Sequence, residues 1–140
     1  MNTTMFVMSR KQLERYNSDG ESVAIISITD PDRELVKLAC VAEGVLRLQF
    51  HDIDVPSLIY KLMTTDDADD VADFCLKWWG NVSLLIVQCE GGISRSAGVA
   101  AAIAKHFREN DTIYFDNTNY YPNRYCYRLV LDSLEESDAE

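Results

Sequence analysis

A cysteine, two glycines and an arginine lie together in the seven residues from Cys89 to Arg95. An ionised cysteine is a nucleophile, whereas arginine and a glycine-rich backbone are groups that bind phosphate. The segment from Leu84 to Ala102, LLIVQCEGGISRSAGVAAA, therefore predicts a phosphate-binding loop with a nucleophile at its base.

The residues on either side of this loop predict the elements that position it. The apolar run from Leu84 to Val87 is typical of a strand buried in the middle of a parallel sheet. From Ser96 onward the alanine-rich sequence favours a helix, whose first N–H groups lack helical partners and attract anions. We therefore expect the loop to hold a phosphate against a helix N-terminus.

The loop supplies several kinds of phosphate ligand. Gly91 and Gly92 allow successive backbone N–H groups to converge on one point. The guanidinium of Arg95 can hold two phosphoryl oxygens at once, which a lysine cannot do. Cysteines beside arginine or at helix N-termini are commonly thiolates at neutral pH, so we expect Cys89 to be ionised. The predicted phosphate ligands are the loop residues Glu90, Gly91, Gly92, Ile93, Ser94 and Arg95.

The spacing of Cys89, Arg95 and Ser96 matches the C-x5-R-[S/T] signature of the cysteine-based protein tyrosine phosphatases. The sequence CEGGISRSAG most resembles the small dual-specificity branch of that superfamily, in particular its compact bacterial and phage members. The resemblance implies an α/β fold in which helices flank a mostly parallel sheet of about four to five strands. It also implies hydrolysis of phosphomonoesters, on phosphotyrosine alone or with dual specificity, through a phosphocysteine intermediate and without a cofactor or metal.

A phosphatase of this kind needs a carboxylic acid that protonates the leaving group and later activates water. In the dual-specificity branch this acid follows a strand several tens of residues before the nucleophile. The segment Phe50-His51-Asp52-Ile53-Asp54 leaves a predicted strand at the equivalent place. Asp52 fits the family pattern better than Asp54, and both remain open from the sequence.

Two further positions bear on the nucleophile. The hydroxyl of Ser96 is expected to hydrogen-bond the sulfur and stabilise it as a leaving group, to cap the helix, or to do both. Most members of the superfamily have histidine immediately before the nucleophile, and this chain has Gln88. An amide also donates and accepts hydrogen bonds, so the departure bears on the rigidity of the loop rather than on the identity of the nucleophile.

Length and composition predict one domain and restrict its partners. The 140 residues, of which 47% are hydrophobic, suffice for a single core spanning residues 1–140. The net charge of −10 disfavours nucleic acid and anionic membranes, so we expect a phosphorylated protein or a small phosphoester as substrate. The loop has Glu90 and no lysine, unlike the lysine-bearing loops of phosphoinositide-cleaving relatives, which favours a phosphoprotein or a small phosphoester over a phosphoinositide.

The cysteines and the absence of apolar segments predict the compartment. Cys40, Cys75, Cys89 and Cys126 are scattered without the C-x2-C spacing of a zinc site. The only apolar run near the N-terminus is too short for a signal peptide, and no stretch is long enough to span a membrane. We expect a cytoplasmic monomer, whose redox control through the other cysteines the sequence leaves open.

Other functions remain as alternatives. A pseudophosphatase would bind a phosphorylated partner without hydrolysing it, and Gln88 keeps this possibility open. A papain-like hydrolase using His51 would leave Arg95 and the glycines without a role. An arsenate reductase would need resolving cysteines, and the spacing of the cysteines does not indicate any.

Periodicity predicts the remaining elements. Strands are expected at 5–8, 23–28 and 45–50, the last at an outer position because Arg47 and Gln49 alternate with apolar residues. Thr65 is expected to cap an acidic helix, and Pro122 to begin the last one. Residues 111–119 are expected to form a polar turn, and residues 137–140 to fray.

Overall fold

The structure, a computed structural model, describes residues 1–108 and 110–139. Four strands and five helices lie in this part of the chain. The elements are β1 (Thr4–Met8), α1 (Arg10–Arg15), β2 (Val23–Thr29), β3 (Gly44–Gln49), α2 (Thr65–Trp78), β4 (Leu84–Gln88), α3 (Arg95–Arg108), α4 (Thr112–Phe115) and α5 (Arg124–Ala139).

The four strands form one parallel sheet in the order β1-β4-β2-β3. The inner strands β2 and β4 are buried along their whole length, as their continuous apolar sequences require. Strand β3 lies at the edge of the sheet, which confirms the position predicted from its alternating polar residues. The predicted α/β class with a parallel sheet of four to five strands is confirmed. Because the strands are parallel, all four carboxyl ends meet at one edge.

Helices cover both faces of the sheet. The larger core lies between one face and the helices α2, α3 and α5, and it includes Val87, Ala101 and Val130. The smaller core lies on the other face, where Leu13 of α1 packs with Val23, Ile25 and Ile86. Helix α3 is central, since it is buried from Arg95 to Ala104. Its small residues permit close packing, and a Cβ at Gly98 would overlap the carbonyl oxygen of Asn123.

Two helix starts differ from the predictions. Helix α2 is capped by Thr64 rather than Thr65, because Thr64 and Asp67 form a reciprocal capping box with the acidic residue at the third helical position. Helix α5 begins at Arg124 rather than at Pro122. The side-chain oxygen of Asn123 accepts hydrogen bonds from the N–H groups of Tyr125 and Cys126, so Asn123 takes the cap position.

Two short helices were not predicted. Helix α4 lies within residues 111–119, which were expected to be a turn, and it buries Tyr114. Helix α1 follows β1 directly and is stabilised by a capping box between Ser9 and Gln12. Each has too few residues to show an apolar period in the sequence.

The described helices include none that is both long enough and apolar enough to cross a membrane. Of the four residues predicted to fray, 137–139 belong to α5 and Glu140 lies outside the described residues. The fraying therefore stays a prediction.

Candidate functional site

Cys89 lies directly after β4, at the edge where the carboxyl ends of the strands meet. Its N–H donates to the carbonyl oxygen of Met8 over 3.3 Å, which fixes the start of the loop against β1. Its sulfur lies 3.1 Å from the hydroxyl oxygen of Ser96 in the first turn of α3. The sulfur is thus in contact with a polar partner, as the sequence predicted. Helix α3 begins at Arg95, so Ser96 is inside the helix and is not its cap.

The loop after Cys89 turns its carbonyl groups toward the rest of the protein. The carbonyl oxygen of Glu90 accepts from Arg10 N–H, that of Ile93 from Tyr121 N–H, and that of Ser94 from Asn123 N–H. Within the described residues, no acceptor is bonded to the N–H groups of 90–94. A loop whose carbonyl groups bond the surrounding protein and whose N–H groups have no acceptor is typical of a backbone anion site at a helix N-terminus.

Gly92 is the glycine on which this loop conformation depends. Its φ is +66°, and a Cβ there would lie 2.6 Å from the nitrogen of Ser9 and 2.7 Å from the carbonyl carbon of Met8. Gly91 has no positive φ, and a Cβ there would meet only the side chain of Ile93 at ordinary contact distance. The close approach of the loop to the end of β1 therefore requires the second glycine of the pair, not the first.

Arg95 is held in place with only part of its donor capacity used. The side chain is buried, and its Nη1 lies 2.7 Å from Asp30 Oδ1 and 2.6 Å from the carbonyl oxygen of Phe50. These partners follow β2 and β3, so two strand ends fix the orientation of one guanidinium. Its Nε is buried and has no hydrogen-bond partner among the described residues. A buried donor without a partner is costly, and an anionic ligand would satisfy it.

Asp52 is anchored by two hydrogen bonds, one from the loop and one from the cap residue of α5. Its Oδ1 accepts from Ser94 Oγ over 2.8 Å and from Asn123 Nδ2 over 2.9 Å. The same Asn123 nitrogen donates to the carbonyl oxygen of Ile53 over 3.0 Å. One carboxylate oxygen is thus used for positioning, and Oδ2 has no hydrogen bond within the described part of the chain. Asp54 has no hydrogen bond or ion pair to the loop among those residues, so of the two aspartates it is Asp52 that is joined to the loop.

A cavity of about 410 Å³ opens beside the loop. Asp52 and Ser94 lie on its wall, and Cys89 and Arg95 are not among its lining residues. The lining also includes aromatic residues, among them Phe115, over which Arg124 lies at 4.7 Å from the ring centroid. The cavity lining is Asp52, Ile53, Asp54, Ser94, Phe115, Tyr120, Tyr121, Pro122, Asn123 and Arg124.

Glu90 connects the loop to two arginines outside it. Its carboxylate lies 3.0 Å from Arg10 Nε and 3.1 Å from Arg33 Nη1. Arg10 also donates to the carbonyl oxygen of Glu34, which joins α1 to the segment after β2. The negative charge of Glu90 is therefore paired with two positive charges, which reduces its repulsion of a phosphate bound in the loop.

Gln88, which stands where the superfamily has histidine, is directed away from the loop. It is fully buried, and its Oε1 accepts from Ser27 Oγ on the neighbouring strand β2. Its Nε2 has no hydrogen-bond partner among the described residues. The pair of Arg10 with Glu90 braces the loop from outside instead.

Two further cysteines, Cys75 and Cys126, are buried, and His51 bonds elsewhere. Burial raises the pKa of Cys75 to about 12. Burial, followed by the charge of Asp52, raises the pKa of the Cys126 thiol, while Arg95 lowers it and Cys89 raises it further. Both thiols stay protonated at neutral pH, and Cys126 lies within electrostatic range of the site. The Nδ1 of His51 accepts from the N–H of Lys61, so this ring nitrogen bonds the segment that follows β3 and not Cys89.

Three residues of the site were not recognised from the sequence. Asp30 directly follows β2, and its pairing with Arg95 joins residues 65 positions apart. Asn123 was passed over in favour of Pro122, although an asparagine before a helical pattern is a common cap. Arg10 gave no sequence signal, because its pairing with Glu90 joins residues eighty positions apart. Within the described residues, no cluster of histidine, cysteine or carboxylate side chains is arranged to hold a metal ion.

No protein-family model and no curated protein matches the sequence, so the comparison depends on solved structures. A variant of human DUSP28 superposes with a TM-score of 0.62 and 15% identity, covering 96% of this chain and 92% of its own. PTPMT1 in complex with PI(5)P superposes with a TM-score of 0.61 and 16% identity, covering 97% and 93%. A mouse protein described as a dual specificity phosphatase, complexed with zinc tungstate, gives 0.57 and 16%, covering 96% and 84%.

These similarities extend over nearly the whole chain at low sequence identity. They show that the chain has the fold of the dual-specificity phosphatases, as the C-x5-R-S spacing predicted.

Proposed function

We propose that the protein is a cysteine-dependent phosphatase that hydrolyses phosphomonoesters through a phosphocysteine intermediate. The phosphate would lie in the loop, where the N–H groups of 90–95 and the Nε of Arg95 donate to its oxygens. Preorganised donors of this kind stabilise the charge that the equatorial oxygens carry in the transition state.

In the first step the thiolate of Cys89 attacks phosphorus and the bond from phosphorus to the ester oxygen breaks. Asp52, fixed by Ser94 and Asn123, donates its proton to the departing oxygen. The products of this step are a free alcohol or phenol and a phosphocysteine.

In the second step water attacks the phosphocysteine and gives a proton to the carboxylate of Asp52. The bond from sulfur to phosphorus breaks, and inorganic phosphate leaves. The hydroxyl of Ser96, 3.1 Å from the sulfur, donates a hydrogen bond to the thiolate as it forms. The enzyme returns to its starting protonation state, so neither step requires a further reactant.

The observation that carries this proposal is the state of Arg95. A guanidinium that is only 5% exposed is oriented by two oxygen partners, while its Nε is left without an acceptor next to a loop of unengaged amides. A buried arginine kept only for stability would be expected to use all of its donors. An oxyanion bound in the loop would provide the acceptor that the Nε of Arg95 lacks.

The proposal is tested with p-nitrophenyl phosphate in the presence of EDTA. The wild-type protein should release phosphate, Cys89→Ser should abolish release, and Asp52→Asn should reduce it chiefly at neutral pH. Asp54→Asn is the matched control, because Asp54 lies in the same cavity without a bond to the loop. A larger loss in Asp54→Asn would assign the acid to Asp54 instead.

The alternative is a pseudophosphatase that binds a phosphorylated partner without hydrolysing it. The low exposure of Cys89 and the position of Gln88, whose side chain bonds Ser27 instead of the loop, are the features that favour it. It predicts saturable binding of a phosphopeptide by the wild-type protein with no release of phosphate.

The choice of substrate follows from charge. The paired Glu90, the absence of lysine in the loop and the net charge of −10 favour a phosphoprotein over a phosphoinositide such as the one bound to PTPMT1. The four cysteines are free, which suits a protein that works in the reducing cytoplasm.

A further inference from the structure

The loop that carries Asp52 also carries an exposed apolar surface. Val55, Leu58, Ile59 and Tyr60, here called the apolar tip, are all exposed, Leu58 completely and Ile59 to 82%. Contiguous exposed apolar side chains on a soluble protein usually mark an interaction site.

The tip is held in a defined shape. His51 N–H donates to the carbonyl oxygen of Lys61 over 2.8 Å, and Lys61 N–H donates back to His51 Nδ1 over 2.8 Å, which closes the loop at its base. The hydroxyl of Ser57 accepts from the N–H groups of Ile59 and Tyr60 at 3.0 Å each. The ring of Tyr60 packs edge-on against His51. A surface fixed in this way loses little conformational entropy when a partner covers it.

The tip is also close to the phosphate site. Ile53 and Asp54, which precede it, line the same cavity as Ser94. Leu58 follows the anchored Asp52 by six residues, so it lies within roughly 20 Å of that carboxylate even if the chain were extended. A chain whose phosphate occupied the loop could reach the tip within about six residues.

Three partners are considered for the apolar tip: a second copy of this chain, an anionic membrane and the substrate. The first two fit poorly. The four side chains would bury about 400 Å² together, at roughly 60–120 Å² each, whereas a stable interface needs about 800 Å² from each partner. A second copy of this chain is therefore disfavoured. An anionic membrane surface is disfavoured by the net charge of −10 and by the exposed Asp52 and Asp54 beside the tip.

We propose that the apolar tip is a docking surface for the substrate, which is a phosphoprotein segment with aliphatic side chains within about six residues of its phosphorylated residue. The inference rests on the proposed function and specifies its substrate. It assigns two tasks to one loop, since Asp52 acts on the leaving group and the tip holds the flanking residues of the same substrate.

The test uses a 13-residue peptide with a central phosphotyrosine, Leu-Ile pairs four and five residues away on both sides, and glycine and serine elsewhere. A second peptide has serine in place of the Leu-Ile pairs, and p-nitrophenyl phosphate serves as the substrate without flanks. The wild-type kcat/KM for the aliphatic peptide should exceed that for the serine peptide by about tenfold or more, since one buried aliphatic side chain contributes that much.

The double variant Leu58→Ser with Ile59→Ser should lose this preference and retain the wild-type rate on p-nitrophenyl phosphate. Val41→Ser is the matched control, because Val41 is 90% exposed but precedes β3, at the opposite end of the sheet from the site. It should keep the preference. Equal rates on both peptides, or a preference that survives in the double variant, would overturn the docking surface.

The failure of the proposed function would be recognised separately, as no turnover of p-nitrophenyl phosphate by the wild-type protein. Fluorescence anisotropy with the labelled aliphatic peptide then decides the docking surface: tighter binding by the wild-type protein than by the double variant supports it, and equal binding refutes it. Co-sedimentation with vesicles of phosphatidylcholine and phosphatidylglycerol that depends on Leu58 and Ile59 would reassign the tip to a membrane. A dimer in sedimentation velocity that the double variant lacks would reassign it to a second copy.

Discussion

Replacing Asn123 by serine should loosen the position of Asp52, the proposed acid, without removing the helix cap. Serine is a good cap residue, so its hydroxyl can still accept from the first N–H groups of α5. It is too short to reproduce the bonds from Nδ2 to Asp52 Oδ1 at 2.9 Å and to the carbonyl oxygen of Ile53 at 3.0 Å. The variant therefore affects the position of Asp52 more than the fold.

The expected magnitude follows from the two lost bonds. A hydrogen bond to a charged acceptor contributes about 1.5 to 3 kcal/mol, and one between neutral groups about 0.5 to 1.5 kcal/mol. Asp52 is exposed, so the lower values apply and sum to about 2 kcal/mol. Such a loss reduces the population of correctly placed acid by roughly 30-fold. General acid catalysis contributes about 10² to 10⁴ in rate, so this reduction is within its range.

The assay compares two leaving groups. Benzyl phosphate needs protonation of its departing oxygen, and its kcat should fall by roughly 30-fold in Asn123→Ser. p-Nitrophenyl phosphate has a good leaving group, and its kcat should fall much less. In an Asp52→Asn background the Asn123→Ser effect on benzyl phosphate should disappear, because Asn123 affects the rate only by positioning Asp52. An equal fall on both substrates, or an effect that persists in that background, would refute the positioning role.

Two other predictions concern the loop and the core. Gly92→Ala should lower the free energy of unfolding by about 1 to 3 kcal/mol and weaken phosphate binding, because its Cβ would overlap the end of β1. Gly91→Ala should do neither. Urea denaturation with and without phosphate measures both effects, and equal losses in the two variants would contradict the loop geometry. The folded-state pKa of Cys75 is raised to about 12 from 9.0, so its contribution is complete below pH 9 and is lost as the pH rises toward 12, by about 1.4 kcal/mol per pH unit. The free energy of unfolding of the wild-type protein should therefore fall more steeply over this range than that of Cys75→Ala, and parallel curves would show that Cys75 does not titrate differently in the folded state.

The fold and the loop were predictable because their signals are local. The apolar runs at 23–28 and 84–87 predicted the buried strands, and the C-x5-R-S spacing predicted the loop between β4 and α3. The alternation of Arg47 and Gln49 with apolar neighbours located β3 at the edge. Each of these signals lies within one element or one turn, where periodicity and residue type are sufficient.

The partners of the loop were not predictable because they are distant in sequence. Asp30 reaches Arg95 across 65 positions, and Asn123 reaches Asp52 across 71. Neither pairing follows from spacing, since it depends on how parallel strand ends and the start of α5 converge. The choice between Asp52 and Asp54 was open for the same reason, since the bonds from Ser94 and Asn123 that anchor Asp52 also join distant positions.

The central claim is that the sulfur of Cys89 attacks phosphorus from the base of a backbone anion site. Rapid-quench mass spectrometry during turnover of p-nitrophenyl phosphate tests it most directly. The account predicts a transient gain of one phosphoryl group on the peptide that contains Cys89, with none on the peptides that contain Cys40, Cys75 or Cys126. Release of phosphate with no label on Cys89, or with the label on another residue, would contradict it.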